Sequence, residues 1–200
     1  MIRIITTIVA IGVFTFWYPV NTAMSEAAPN SEAKAQMDTL IQEDQYFKLL
    51  VPTIPKMEKQ IECLALNIYH EARNESEAGK MGVAFVTLNR VNSERFPNKV
   101  CEVIYEGRIS KWHLENTGKV VPLRHKCQFS WWCDGKSDRV YEHDKFEEAR
   151  GIAYYVLQNY GKVKDVTGGA LWYHADYVNP NWSDDYTMTV KIDTHIFYRN

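Results

Sequence analysis

The spacing of apolar residues changes along this chain, and the change limits the folds that it can adopt. In several stretches between residues 59 and 161, apolar side chains recur at three- and four-residue intervals, which is typical of amphipathic helices. From residue 170 onward, short runs rich in β-branched and aromatic residues replace that pattern, and the run from Thr187 to Ile192 alternates. Helices followed by strands indicate an α+β fold with a small antiparallel sheet near the C-terminus.

The same patterns place the individual segments. Helices are predicted over residues 59–72, 77–91, 100–106 and 144–160, and strands over residues 170–174, 187–192 and 195–198. Asp144 is expected to cap the last helix, with Glu147 completing a capping box, and Gly161 to stop it. Residues 107–138 show little periodicity and are predicted to form a long irregular segment, which in a compact domain is often functional.

Residues 1–23 have the composition of an export signal. Arg3 precedes an apolar run from Ile4 to Tyr18, and a small-residue cleavage site follows at Asn21-Thr22-Ala23. The alternatives are an uncleaved membrane anchor over residues 4–20 and a buried helix. We expect an exported protein of the periplasm or cell envelope, either free or held at the inner membrane.

The remaining chain divides into a linker and one domain. Residues 24–58 are polar and are punctuated by Pro52 and Pro55, so they are predicted to link the N-terminal segment to a domain over residues 59–200. The domain is expected to be a monomer. The formal net charge is -2, and no basic stripe of the kind found in nucleic-acid binders is apparent, so no nucleic-acid partner is expected.

Four cysteines form an even set in a chain that is expected to be exported, which favours disulfides. Four cysteines allow three pairings. Cys127 and Cys133 lie six residues apart and can close a short loop, which leaves Cys63 for Cys101. A zinc site is the weaker alternative, because no pair has the CxxC spacing of a structural site.

Glu71 and Glu75 are the candidate chemical groups at the end of the first helix. They lie seven residues after Leu64 and Ile68, so both carboxylates continue the apolar stripe. Burial disfavours the charged form of a carboxyl group, so such a residue can stay protonated near neutral pH and act as a general acid. A structural ion pair between Glu71 and Arg73 is the alternative.

The sequence of the domain resembles the SleB/CwlJ-type cell-wall hydrolases. The resemblance covers residues 60–199 and is carried by an ordered series of motifs: Cys63-Leu64-Ala65, Tyr69-His70-Glu71-Ala72-Arg73-Asn74-Glu75, Gly79, Val83-Ala84, Leu88-Asn89-Arg90-Val91, Phe96-Pro97, Val100-Cys101, Val103-Ile104-Tyr105, Cys127-Gln128-Phe129-Ser130, Cys133-Asp134-Gly135, Ala170-Leu171-Trp172-Tyr173-His174, Pro180, Trp182 and His195-Ile196-Phe197-Tyr198. The family usually has Gly after its EAR motif, where this chain has Asn74; because Asn tolerates left-handed backbone, the turn is expected to survive.

The resemblance implies a lysozyme-like or lytic-transglycosylase-like helical domain that cleaves the β-1,4 bond between N-acetylmuramic acid and N-acetylglucosamine in peptidoglycan. Glu71 matches the family's acid. The residues expected to bind the glycan are Glu75, Gln128, Ser130, Tyr173 and His174. The alternatives are a zinc-dependent N-acetylmuramoyl-L-alanine amidase and a non-catalytic wall-binding module. The motif HExxH is absent and the six histidines are scattered, so no metal or other cofactor is expected.

Overall fold

A computed structural model of the chain describes residues 54–200, except for the side chain of Ile54, and six positions of a separate N-terminal unit. Those six positions, residues 31, 32, 35, 36, 39 and 42, are helical. The predictions for residues 1–23, and for most of the linker, lie outside the described residues. Among the described residues, no helix has the length and apolar character needed to cross a membrane.

The expected α+β class is confirmed. The helices of the domain are α1 (Ile54–Ala72), α2 (Glu77–Val91), α3 (Val100–Ile104), α4 (Lys111–Thr117) and α5 (His143–Asn159). The strands are β1 (Gly107–Ile109), β2 (Pro122–Cys127), β3 (Trp172–Ala175), β4 (Thr187–Ile192) and β5 (His195–Arg199). Two 3-10 turns, Ser130–Cys133 and Asn181–Asp185, complete the described elements.

Helices α1, α2, α3 and α5 enclose the larger apolar core. Their apolar stripes meet there, and the central residues are fully buried: Leu64, Ala65, Ile68, Val83, Ala84, Val103, Ile104, Ala149, Ala153 and Val156. Helix α1 contacts α2, α3 and α5 and is therefore the central element of the domain. Burial of this stripe fixes the rotation of α1, and with it the direction in which residue 71 points.

Strands β3, β5 and β4 form an antiparallel sheet with β5 in the middle, as expected for the C-terminal region. The sheet packs on α2 through a second, small apolar cluster of Val86, Ala170 and Phe197. Gly82 permits this approach, because a Cβ at that position would lie 2.6 Å from Phe197 Cζ. Since Tyr173 pairs with Phe197 across β3 and β5, the same contact positions Tyr173 beside the helices.

Several predicted boundaries differ from the structure. Helix α1 begins at Ile54 rather than near residue 59, because Pro55 falls in the first turn, where its missing N–H costs no hydrogen bond. The capping box predicted at Asp144 is wrong: α5 begins at His143 after Glu142, without a side-chain cap, and Asp144 lies in the first turn. Gly161 lies just beyond the helix and has a left-handed φ of 77°. This is the conformation expected of a glycine that ends a helix.

Residues 107–138 are more regular than predicted. They contain β1, α4, β2 and a 3-10 turn, and β1 pairs with β2 in a separate two-stranded sheet. Both strands are short and largely exposed on both faces, so they leave no alternation of apolar and polar residues in the sequence.

Candidate active site

Glu71 lies in the last turn of α1, just before the chain turns into α2. Ser76 caps α2 by accepting a hydrogen bond from Gly79 N, and Asp193 accepts hydrogen bonds from both the backbone N–H and the hydroxyl of Ser76. These contacts tie the α1–α2 turn to the turn between β4 and β5. The end of α1 is therefore held between the helical core and the C-terminal sheet.

The Glu71 carboxyl group is partly buried and contacts a phenol. The Tyr173 hydroxyl donates a hydrogen bond to Glu71 Oε2 over 3.0 Å. Burial raises the pKa of Glu71 above its ordinary value, while the Tyr173 hydrogen bond and the positive charge of Arg90 act in the opposite direction, and burial prevails. A carboxyl group in this setting holds its proton at higher pH than an exposed glutamate does.

Tyr173 remains a neutral hydrogen-bond donor. Burial, followed by the negative charge of Glu71, raises the pKa of Tyr173 well above its ordinary value. The ring packs edge-on against His195, with centroids 5.0 Å apart, and is tilted against Phe197 at 5.6 Å. These contacts fix the direction of the hydroxyl group towards Glu71.

Arg90 is a buried cation in the same region. Its side chain is 4% exposed, its Nε donates to Leu171 O over 2.8 Å, and its guanidinium lies 5.3 and 5.0 Å from the ring centroids of Phe96 and Phe129. Burial lowers the pKa of Arg90, and the nearby acidic groups of Tyr173, Glu106 and Glu71 counteract this. Its Nη1 has no hydrogen-bond partner among the described residues.

Three of the residues predicted to bind the glycan lie outside the hydrogen-bond contacts of Glu71. Glu75 accepts hydrogen bonds from the backbone N–H and the hydroxyl of Thr194, at 3.2 and 2.7 Å, and so helps to hold the β4–β5 turn. Gln128 and Ser130 are exposed and follow β2, and the backbone N–H of Gln128 donates to Glu106 O. The structure does not bring these three residues into hydrogen-bond contact with Glu71.

His174 faces away from Glu71. Successive side chains of a strand point to opposite faces, so His174 and its neighbour Tyr173 lie on different sides of the sheet. The His174 ring stacks on Tyr198 with centroids 5.2 Å apart, and its Nε2 lies 2.9 Å from the Tyr198 hydroxyl. Trp182 packs edge-on against both rings. Binding of sugar by His174 would have to use the other face of the sheet.

A polar cavity of about 270 Å³ opens beside the same end of α1. It is lined by the immediate neighbours of Glu71 and by the segment after β2: Tyr69, His70, Arg73, Trp131, Asp134, Lys136, Ser137, Asp138, Arg139 and Tyr141. The His70 ring stacks on Trp131 at 4.5 Å, and burial lowers the pKa of His70. Arg73 forms an ion pair with Glu142 over 2.9 Å. The alternative ion pair between Arg73 and Glu71 is therefore not present.

Both predicted disulfides are present. Cys63 is bonded to Cys101, which links α1 to α3, and Cys127 is bonded to Cys133, which closes the loop that contains Gln128 and Ser130. Among residues 54–200 and the six N-terminal positions, no group of three or more His, Cys, Asp or Glu side chains is arranged to hold a metal ion.

Arg90 and Glu106 were not singled out by the sequence patterns. Arg90 lies seven residues after Val83 and four after Val86, on the buried side of α2, and a charged residue at such a position is the signal that could have identified it. Glu106 has no such signal: its Oε2 is buried without a partner among the described residues, in a loop whose burial follows only from the tertiary fold.

Comparison with known proteins gives a consistent result. A family model described as Cell Wall Hydrolase matches residues 74–198, a range that begins just after Glu71. The chain is 45% identical over 141 residues to the spore cortex-lytic enzyme of Halalkalibacterium halodurans, covering 70% of this chain and 34% of that protein. It is 50% identical over 46 residues to the spore cortex-lytic enzyme of Bacillus subtilis strain 168, covering 23% and 15% of the two proteins.

Among solved structures, the chain is similar to the catalytic domain of the germination-specific lytic transglycosylase SleB from Bacillus anthracis. The sequence identity is 29%, the TM-score is 0.49, and the match covers 70% of this chain and 93% of that one. The chain matches only 15–34% of the length of the two curated relatives named above, so it corresponds to one part of those proteins.

Proposed function

Because the chain belongs to the cell wall hydrolase family, we propose that it degrades peptidoglycan by cleaving the β-1,4 bond between N-acetylmuramic acid and N-acetylglucosamine, with Glu71 as the general acid. The environment of its carboxyl group carries the choice of Glu71. Its carboxyl group is partly buried, its pKa is raised by burial, and a phenol holds one of its oxygens. This is the environment that keeps a carboxylic acid protonated until it meets a leaving group.

The hydrogen bond from Tyr173 assigns different roles to the two carboxyl oxygens. In protonated Glu71, Oε2 accepts from Tyr173, so the acidic proton resides on Oε1. That proton passes to the glycosidic oxygen as the bond from C1 of the muramic acid to that oxygen breaks, and positive charge develops at C1. Glu71 is left as a carboxylate, which Tyr173 and the nearby positive charge of Arg90 stabilise.

The second half of the reaction decides between a lytic transglycosylase and a muramidase. If the 6-hydroxyl of the same muramic acid attacks C1, the hydroxyl proton passes to the Glu71 carboxylate. A 1,6-anhydro sugar then forms without a second carboxylate. If water attacks with inversion, a base about 6.5–9.5 Å from the acid is needed. Glu75, the nearest carboxylate in sequence, already accepts hydrogen bonds from the backbone N–H and the hydroxyl of Thr194. This favours the transglycosylase.

We expect digestion of purified peptidoglycan to release anhydro-muropeptides and to proceed equally well after treatment with EDTA and dialysis. The proposed chemistry needs a protonated carboxyl group and places no demand on a metal ion. Mass spectrometry of the products checks this. Reducing muramic acid ends would indicate a muramidase. Free stem peptides, produced only when zinc is restored, would instead establish the amidase alternative. Absence of any product would indicate a wall-binding module.

We expect Tyr173→Phe to move the alkaline limb of the activity profile to higher pH. The substitution removes a hydrogen bond that stabilises the Glu71 carboxylate, while the burial that raises its pKa remains. Glu71 then stays protonated to higher pH. The measurement is kcat/KM for peptidoglycan against pH, which reports ionisations of the free enzyme. Tyr177→Phe, at a residue that is 81% exposed, is the matched control. An unmoved or lowered limb would argue against Glu71 as the acid.

The remaining features of the proposal concern where and how the protein acts. We propose that it is exported and meets peptidoglycan in the periplasm or cell envelope, that residues 1–23 act as a signal peptide or as a membrane anchor, and that the domain works as a monomer on single glycan strands. Binding of those strands by Glu75, Gln128, Ser130, Tyr173 and His174 stays a prediction.

A further inference from the structure

A structured arm projects from the helical domain between Gly107 and Cys127. We call this segment the basic arm; it comprises β1, α4 and β2. Ser110 caps α4 by accepting a hydrogen bond from His113 N, and the backbone N–H of Ser110 donates to Val121 O over 2.8 Å. The disulfide between Cys127 and Cys133 fixes its base. The arm is thus held in one conformation by its own hydrogen bonds and by a covalent link.

The basic arm buries little of its apolar surface. Helix α4 contains no buried residue, although it carries both Trp112 and Leu114. Trp112 and Val120 are each 62% exposed, and Ile109, Leu114 and Leu123 are between 39% and 42% exposed. A short helix is marginal in water unless an apolar face packs against something. Five large apolar side chains on one small arm are therefore a candidate contact surface.

The charge of the basic arm is opposite to that of the whole chain. Residues 107–127 contain Arg108, Lys111, Lys119, Arg124 and Lys126 but only one acidic residue, Glu115, which gives a net charge of +4 in a chain whose formal net charge is -2. All five basic residues are exposed. The preferred partner of such a surface carries negative charge.

From this combination of charge and exposed apolar side chains we infer that the basic arm docks on the surface of a bilayer that contains anionic phospholipids. Lysine and arginine residues near such a surface are attracted by its negative potential, and Trp is favoured at the boundary between head groups and acyl chains. Trp112 and Leu114 would enter that boundary while Lys111 and Lys119 contact phosphate groups. The inference is independent of the proposed activity and of residues 1–23.

The apolar component distinguishes a bilayer from an anionic wall polymer. A hydrated polymer would satisfy the five cations but would leave the aliphatic side chains of Leu114 and Val120 in water. A bilayer surface accommodates both kinds of side chain. Ile109 and Val120 also line an apolar groove of about 360 Å³ with Tyr105, Trp131 and Trp132, so the apolar surface continues from the arm onto the domain.

Hydrogen exchange on the full chain tests the inference and locates the contact. Backbone amide exchange would be compared in buffer, with phosphatidylcholine vesicles, and with vesicles in which about one third of the lipid is phosphatidylglycerol. We expect slower exchange in residues 111–121 only with the anionic vesicles, and weaker protection at high salt. Because the readout is local, attachment through residues 1–23 would not imitate it.

Two variants and two controls make the test specific. In the variant Lys111→Glu with Lys119→Glu, the concentration of anionic lipid that gives the same protection of the arm should rise at least about 30-fold. Each cation near the surface contributes about a fivefold effect on binding. Trp112→Ser with Leu114→Ser should also remove it. Lys162→Glu with Lys164→Glu makes the same change in net charge at exposed residues outside the arm, and Tyr154→Ser removes an aromatic ring that is 56% exposed on α5.

The outcomes that overturn the inference are distinct. Unchanged exchange of the arm with anionic vesicles would exclude docking, and equal protection on neutral vesicles would exclude the role of the five cations. Protection that persists in both arm variants would assign the contact to another surface. Protection by soluble peptidoglycan strands, with none from vesicles, would assign the basic arm to the wall polymer.

Discussion

Glu71→Gln is expected to reduce peptidoglycan cleavage by at least about 10²-fold, the typical contribution of a positioned general acid. Glutamine has nearly the same shape and can still accept the hydrogen bond from Tyr173, but it has no acidic proton to give to the leaving group. The decrease should appear in kcat, because the proton moves in the transition state. The measurement is the rate of release of soluble muropeptides from purified peptidoglycan.

The same substitution should not destabilise the fold at neutral pH. Because burial raises the pKa of Glu71, its ionisation is less favourable in the folded chain than in the unfolded chain. The resulting loss of stability begins as pH rises through the ordinary pKa of glutamate and is complete above the raised pKa. Gln removes that loss, so Glu71→Gln should be at least as stable as the parent at pH 7 and should lose this advantage in acid.

Glu62→Gln is the matched control for Glu71→Gln. It makes the same chemical change on the same helix, but residue 62 is on the exposed side of α1. Its cleavage rate should equal that of the parent. If folded Glu71→Gln retained substantial activity, Glu71 would not be the acid; if both variants lost activity together, the loss would come from α1 as a whole.

The position of Glu71 could be predicted because it follows from the period of one helix. Leu64 and Ile68 are fully buried, and the rotation that buries them also turns residue 71 towards the interior. The same periodicity placed α2 at its observed bounds, Glu77–Val91. Local patterns were sufficient here because the apolar stripe and the candidate acid belong to the same few turns of one helix.

The partners of Glu71 could not be predicted in the same way. Tyr173 is 102 residues away along the chain, and nothing in the strand pattern shows which face of β3 approaches α1. The sequence predicts that Tyr173 binds the glycan, but it does not indicate that the hydroxyl group of Tyr173 donates a hydrogen bond to Glu71. The contact depends on Gly82, which lets Phe197 and hence the whole sheet approach α2.

Helix α4 of the basic arm could not be predicted from the sequence for a different reason. Strands and helices are recognised from sequence through the contrast between a buried and an exposed face. In α4 that contrast is missing, because none of its residues is buried. A segment whose apolar residues face an external partner therefore lacks the contrast between buried and exposed faces on which prediction depends. For this reason the sequence predicts an irregular segment over residues 107–138.

Removal of the Cys63–Cys101 disulfide is expected to lower the free energy of unfolding by about 4 kcal/mol, on a model in which the bond restricts the unfolded chain. The two cysteines are 38 residues apart. Their bond joins α1 to α3, the helices that precede and follow α2 along the chain. The double variant Cys63→Ser with Cys101→Ser therefore releases a long loop within the core. Denaturant unfolding of both proteins, fitted with a common slope, measures the difference.

The second disulfide supplies the matched comparison. Cys127 and Cys133 are only six residues apart, so the same model gives about 2 kcal/mol for Cys127→Ser with Cys133→Ser. Both double variants replace two sulfurs by hydroxyl groups, so the difference between them reports mainly the length of the released loop. The shorter bridge should cost less global stability while loosening the base of the basic arm and the loop that carries Gln128 and Ser130. Equal losses in the two variants, or a larger loss for the short bridge, would show that contacts in the folded state outweigh the restriction of the unfolded chain.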